Sequence, residues 1–387
     1  MRLAPRSRRT LVLTATTAAL SATLVGALPA SGHAAQVTPT AQVTPTASAD
    51  AGLFGSQDPT YDGVYRQGLA LLALDAAGGA IPPSSVNWLI RQRCANGSFM
   101  AYRANLRIPC SAPSSTTYSG PDTNSTALAV VALNAVRRHG EADRAAKWLV
   151  SHQNPDGGWA YYPSPGAATD ANSTGLVMMA LRAHGISPAV VRSSRARTGY
   201  QALSALQSTC SAAPADRGGI AFQSGGAPDE LATAQASLGL VGTVRQQRND
   251  AGVLPVNRLT AGYVPGSCAF PVRNQTGLGL DFLRSHLAAG RGALRDPFDP
   301  AKVSIGNTAY AVWALTAAGR GGIGVNQAIA TLARETRNYV SPVSGGVRRD
   351  DAGRLALVAL AARQAGQRPA NFGGMNLVAR LQLTRRV

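Results

Sequence analysis

Two kinds of apolar stretch alternate along the chain. Stretches of the first kind are apolar on nearly every side; Leu69, Leu71, Leu72 and Leu74 open the series, and later members end in Ala132-Leu133, Ala180-Leu181, Gly239-Leu240, Ala314-Leu315 and Ala359-Leu360. A helix with no polar face has to be buried all round. Stretches of the second kind, at about 81–94, 188–207, 276–289, 325–339 and 375–383, and in the run to Trp148-Leu149, are apolar on one face and carry arginine on the other. That pattern predicts six fully buried helices alternating with six half-buried ones. Two concentric rings of helices satisfy it, so the expected fold is all-α, an α/α toroid of about six inner and six outer helices.

The repeat is explicit in one place. Asp122-Thr123-Asn124-Ser125-Thr126-Ala127-Leu128 returns as Asp170-Ala171-Asn172-Ser173-Thr174-Gly175-Leu176, and Trp148-Leu149-Val150-Ser151-His152-Gln153-Asn154-Pro155-Asp156-Gly157-Gly158-Trp159 lies between them. Self-similarity at such a spacing marks a repeat architecture. Aligning the units puts Thr126, Thr174, Thr233 and Thr308 in one column. The sixth pair of helices ends at the chain terminus, consistent with the expected closed ring.

The N-terminus departs from the pattern. Arg2, Arg6, Arg8 and Arg9 precede an apolar run over 11–28, and small residues follow. This is the layout of a secretory signal peptide, expected over 1–34. Residues 35–58 are rich in Thr, Pro and Ala and read as a disordered linker. The toroid is then expected over 59–387. No later stretch is apolar for long enough to span a bilayer, so a secreted or extracytoplasmic protein with no transmembrane segment after signal removal is expected.

Export changes the meaning of the cysteines and the charge. Cys94, Cys110, Cys210 and Cys268 read as two disulfides. Three pairings are open; the local one, Cys94–Cys110 with Cys210–Cys268, would staple the loop that leaves each helix ending near Gln92 and Gln207. No CxxC spacing and no paired histidine motif suggests a metal. The net charge is +18, with lysine only at 147 and 302. The arginines are scattered and not interleaved with aromatics, so nucleic acid is not the expected partner. An anionic cell-envelope polymer or lipid surface suits them better, and a solvated arginine-rich surface with no partner suits them best.

Candidate chemistry lies at the starts of the buried helices. Asp122, Asp170 and Asp229 stand at first positions, where a carboxylate caps the helix or presents an oxygen to a ligand. Asn124 and Asn172 are amides repeated at an otherwise apolar helix start, expected near one another at one end of a cavity. Tyr310 and Trp313, three apart on the fifth buried helix, could line it. Asp350-Asp351 follows Arg348-Arg349 and reads as a salt-bridged cap.

Trp148-Leu149-x3-Gln153-x3-Gly157-Gly158-Trp159 resembles the QW repeat of squalene and oxidosqualene cyclases and the related prenyltransferase β subunits. The starts at Asp122 and Asp170 are also similar to those of the vitamin B12 carriers intrinsic factor and transcobalamin. The resemblance covers roughly 59–387 and implies the toroid with a central apolar cavity. It does not pass on an activity. Cyclases of this family carry Asp-x-Asp-Asp-Thr-Ala with the middle Asp as acid, and here Asn124 and Ser125 replace its last two carboxylates. An amide cannot protonate an alkene. The zinc ligands of the prenyltransferases have no counterpart on a buried helix. The expectation is therefore a toroid without a recognisable catalytic motif, cofactor or metal, binding an apolar or polycyclic ligand, isoprenoid- or corrinoid-like. The alternatives are a terpene cyclase or prenyltransferase-like enzyme on isoprenoid substrates and a structural cell-envelope module.

Overall fold

A computed structural model describes residues 50–241, 275–297, 299 and 301–387. The expected signal peptide, the linker up to 49, the insertion at 244–273 and Cys268 lie outside the described residues. Six helices are buried nearly all round: α1 Gly63–Ala76, α3 Thr123–Ala135, α5 Ala171–Ala183, α7 Glu230–Val241, α9 Ile305–Ala317 and α11 Ala352–Gln364. Alternating with them are α2 Pro83–Arg91, α4 His139–Ser151, α6 Gly199–Leu206, α8 Gln275–Ala289, α10 Ile323–Val340 and α12 Leu377–Leu383. α1 packs on α3, α3 on α5, α5 on α7, α7 on α9, α9 on α11, and α11 back on α1. Each even-numbered helix packs outside its inner partner. The fold is the all-α toroid that the apolar pattern requires.

The threonine column explains the repeat. Thr126 Oγ1 accepts from Phe99 N at 3.0 Å and donates to the Asp122 carbonyl at 2.7 Å. Thr174 does the same between Trp159 N at 3.0 Å and Asp170 O at 2.7 Å, and Thr233 between Ile220 N at 2.8 Å and Asp229 O at 2.7 Å. Thr308 joins Leu294 N at 2.9 Å to Ser304 O at 2.7 Å. One hydroxyl thus satisfies a turn N–H and fastens the turn after α2, α4, α6 and α8 to the next inner helix. Trp159 itself is buried and donates from its indole to the Leu149 carbonyl at 2.7 Å. Gln153 and Gln207 donate to the carbonyls of turn residues Gly157 at 2.7 Å and Gly218 at 2.9 Å.

The ring closes through its ends. After α4, Asn154 N donates to Gly158 O at 2.8 Å and Gly157 N to Asn154 O at 2.8 Å. After α12 the equivalent bonds join the two ends of the ring: Arg386 N donates to Leu53 O at 2.8 Å and Gly52 N to Arg386 O at 2.9 Å. Gly52 (φ +98°) repeats Gly157 (φ +97°); a Cβ on either would strike the backbone of the next outer helix or its cap, at Ser84 and Thr198. Phe54 takes the Trp159 position and is wholly buried, its N–H bonded to Gln67 Oε1 at 2.8 Å. Arg386 also pairs with Asp50. Residues 50–57, assigned by composition to the linker, are therefore the sixth turn of the ring. Their Gly, Ser and Asp content suits a turn as well as a spacer, and only the partner segment distinguishes the two.

Other boundaries differ from the sequence pattern as well. α6 begins at Gly199 rather than near 188, because Thr198 and Gln201 form a reciprocal capping box there. Three two-stranded hairpins, 220–221 with 228–229, 294–295 with 303–304, and 343–344 with 347–348, precede α7, α9 and α11. Cys94 and Cys110 are joined, fixing loop 95–109 to the end of α2. Cys210 is disulfide-bonded, and its expected partner Cys268 lies outside the described residues. Among the described residues no helix is long and apolar enough to cross a membrane, and no cluster of His, Cys, Asp and Glu could hold a metal ion.

Candidate functional site

The inner helices bring their first turns to one mouth of the ring. Five of them are capped by a side chain there. Asp122 Oδ1 accepts from Ser125 N at 2.6 Å, Asp170 Oδ1 from Ser173 N at 2.7 Å and Asp229 Oδ1 from Ala232 N at 2.6 Å. Ser304 accepts from Asn307 N at 3.3 Å and Asp351 from Arg354 N at 3.0 Å. The caps at 122 and 170 sit deep in the wall. Burial pushes the Asp122 carboxyl up to about 7 against the opposing pull of its bonds at Ser125, and pushes Asp170 up to about 6. Asp122 Oδ2 is buried and has no hydrogen-bond partner.

Inside the crown of caps lies a polar network that crosses the ring. The Tyr65 hydroxyl on α1 lies 2.6 Å from the Tyr310 hydroxyl on α9. These helices are not neighbours; α11 stands between them, so the two side chains meet in the interior. Gln235 on α7 supports both phenols, and Asn172 Nδ2 on α5 donates to Gln235 Oε1 at 2.8 Å. The last contact depends on glycine. α5 approaches α7 so closely that a Cβ on Gly175 would lie 2.3 Å from the Gln235 carbonyl oxygen. Trp313 lies against Tyr310, ring centres 6.2 Å apart and nearly parallel.

Accessibility shows which side of the network is open. Tyr310 is 1% exposed, Trp313 2% and Gln235 4%, so they plug the ring. Tyr65 points into the ring but retains accessible surface, and so does Asn172. The Tyr65 hydroxyl itself is buried in the network, and only other parts of Tyr65 and Asn172 reach the surface. The surroundings are aromatic. Tyr161 and Tyr162 pack edge to face at 4.7 Å, and Tyr118 meets Tyr162 at 6.4 Å. Burial raises the Tyr161 phenol, helped by the charges of Asp122, Tyr162 and Asp170. Tyr339 lies near Tyr310, its ring 5.1 Å below the Arg354 guanidinium. Burial lifts the phenols of Tyr65, Tyr310 and Tyr339 as well, and Tyr162 to about 12, so all five remain neutral donors over the ordinary pH range.

The residues expected from sequence divide between two roles. Asp122, Asp170 and Asp229 are caps. Asn172, Tyr310 and Trp313 belong to the central network. Asn124 is half-buried at the helix start, within 3.5 Å of Thr123 Oγ1, and bonds neither to Asn172 nor as a cap. The partner of Asn172 is Gln235, on the opposite side of α5 from α3. Asp351 is a cap with Arg354 Nε 3.5 Å away, and Asp350 pairs with Arg380 at 2.6 Å instead of with the preceding arginines. Tyr65, Tyr161, Tyr162, Gln235, Tyr339 and Arg354 join the site without standing out in the sequence. Gln235, the one amide inside a mostly apolar helix, was the available signal. At the opposite end of the ring an open groove of about 450 Å³ lies among Asp75, Pro83, Val86, Arg137 and Arg138.

The fold and this network define a toroid with a plugged centre and an aromatic, amide-lined mouth. No protein-family model matches the chain, and no curated protein matches it. Among solved structures it is similar to a protein from Actinoplanes, with 18% identity over 82% of this chain and 93% of that one, TM-score 0.49. It is also similar to the type II terpene cyclase MstE from Scytonema in its apo form, with 15% identity over 78% of this chain and 88% of that one, TM-score 0.44. A third is ent-copalyl diphosphate synthase from Streptomyces platensis, with 15% identity over 78% of this chain and 50% of that one, TM-score 0.30. The resemblances to the terpenoid cyclases and to the vitamin B12 carriers rest on the sequence. At such identities and scores no chemistry passes from these structures to this chain, and the toroid rests on its own closed ring of helix contacts.

Proposed function

We propose that this is an exported protein that holds an apolar or polycyclic small molecule at the mouth of its ring. The observation that supports the reading is Tyr65: it crosses the ring to Tyr310 and part of it still keeps accessible surface, where phenols and amides gather at the mouth above a plugged centre. Mostly aromatic walls with a few fixed polar groups are what small-molecule sites use. The arrangement does not favour catalysis, since Asp122 and Asp170 are spent as caps and are 0% and 2% exposed. Export is supported by the leader-like start and the Cys94–Cys110 disulfide. The scattered surface arginines support contact with an anionic envelope polymer.

One observation favours the enzyme reading instead. Asp122 keeps its proton to about pH 7 and has an oxygen without a partner, as a general acid would. Incubation of mature protein with squalene or prenyl diphosphates separates the two; the binding reading expects no product, and turnover abolished by Asp122→Asn would establish the acid. Native mass spectrometry of protein purified from its own host is the direct test. A bound molecule lost from the folded Asn172→Leu, Gln235→Leu double variant supports the site. A bare polypeptide mass, together with no saturable uptake of a polycyclic fluorescent probe, rules the reading out.

A further inference from the structure

The inner helices end alike, with one exception. α1, α5, α9 and α11 each close on a glycine in the left-handed region: Gly78 (φ +69°), Gly185 (φ +85°), Gly319 (φ +69°) and Gly366 (φ +77°). The next N–H then reaches back into the helix, from Gly79 to Leu74 O, Ile186 to Leu181 O, Arg320 to Leu315 O and Gln367 to Ala362 O, each at 2.8 Å. This is the glycine cap of a helix C-terminus. α3 makes the same bond, from Arg138 N to Leu133 O at 2.7 Å, but the residue in the left-handed region is Arg137 (φ +61°). A side chain strains the backbone there and glycine does not. The pull of a helix C-terminus on a cation does not explain the exchange. α5 and α11 carry Arg182 and Arg363 inside the last turn, where the backbone is unstrained.

The strained residue borders the groove at the end of the ring away from the mouth. Arg137 and Arg138 line it together. Both side chains are exposed and have no hydrogen-bond or ion-pair partner among the described residues. Asp75, the one carboxylate among the lining residues, has a partner of its own. Ile81, Val86, Ala135 and Val136 supply apolar wall. The volume of about 450 Å³ is that of a small-molecule cleft. We propose that this groove binds a long-chain carboxylate, with its head in the guanidinium forks of Arg137 and Arg138 and its chain along the apolar wall. A planar fork matches a carboxylate with two parallel hydrogen bonds. The strained backbone at Arg137 holds a guanidinium where the sister helices have only glycine. The site is separate from the mouth and does not depend on the binding reading above.

The test displaces a polyene fatty acid, fluorescent when buried, from the full mature chain with dodecanoate, dodecanol or acetate. The wild type should bind dodecanoate roughly tenfold more tightly than dodecanol, the worth of a charge-assisted hydrogen bond, and added salt should shrink that preference. Acetate, which has no chain for the wall, should displace nothing. Arg137→Gly gives α3 the residue its sister helices use, so this variant should melt no lower than the wild type while the preference falls severalfold. The Arg137→Gly, Arg138→Gln variant should lose it altogether, and the Asn172→Leu, Gln235→Leu variant at the mouth should keep it. Equal affinity for dodecanoate and dodecanol in the wild type overturns the proposal, as does no uptake of the probe. A preference that survives in the double arginine variant, or disappears in the mouth variant, places the acid elsewhere and overturns it too. Displacement by hexaglutamate as effective as by dodecanoate would make the two arginines a surface for acidic polymers instead.

Discussion

Asp122 illustrates how a single residue can work against the fold it helps to build. Its Oδ1 caps α3, but the rest of the carboxyl is buried beside an unpartnered Oδ2. The folded-state pKa of about 7 lies above the ordinary value of 3.8. Between those values the native state holds a proton that the unfolded chain has released, so stability falls as pH rises through that window and levels off above it. Asp170, raised to about 6, acts in the same direction. A tenfold difference in proton affinity between the two states corresponds to about 1.4 kcal/mol. Asparagine caps as well as aspartate and has no charge to bury. Asp122→Asn should therefore gain in melting temperature on the wild type as pH goes from 4 to 8. Parallel melting curves for the two proteins across that range would show that the carboxyl is solvated in the native state.

At the scale of elements, the unit that repeats is a junction rather than a helix. A turn N–H, a threonine hydroxyl and a cap carbonyl form one relay between an outer helix and the next inner one, four times around the ring. Thr174→Val keeps the shape and removes both bonds. It leaves the Trp159 N–H without a partner in a dry site, while the Asp170 carbonyl keeps the backbone N–H of residue 174 at 3.1 Å. The expected cost is about 1–3 kcal/mol, read from the urea midpoint at an unchanged slope. A loss under about 0.5 kcal/mol would mean that Trp159 packing alone holds the junction.

For the whole molecule, the point of interest is that a ring has no ends but a chain does. Residues 50–57 and 384–386 form the sixth junction by backbone bonds, an Arg386–Asp50 pair and the burial of Leu53 and Phe54. Phe54 is then as much a core residue as Phe99, which holds the same place in an unbroken turn. Phe54→Ala should cost about 3–5 kcal/mol, as a large buried aromatic does, and Phe99→Ala a similar amount. Chemical denaturation of the two variants checks this. A Phe54→Ala variant as stable as the wild type would return residues 50–57 to the linker.

The amino-acid sequence by itself determined the architecture, because an apolar surface leaves no choice: helices greasy on every side must be surrounded, and half-greasy ones must surround them. It also carried the Asp caps and the threonine column, since these are contacts between nearby or periodically equivalent residues, and Cys94–Cys110 was the local one among the pairings it left open. The tertiary structure alone decided the site. Tyr65 and Tyr310 are 245 positions apart and meet only because the ring brings α1 and α9 to the same interior. Asn172 turns to Gln235 rather than to Asn124 because glycine lets α5 approach α7, a matter of interhelical distance that leaves no mark on the repeat. The composition of residues 50–57 fits a spacer and a turn alike, and only the closed ring shows which helix end that turn completes. Local patterns record which surfaces must be buried; which groups face one another across the space they enclose depends on closure of the whole chain.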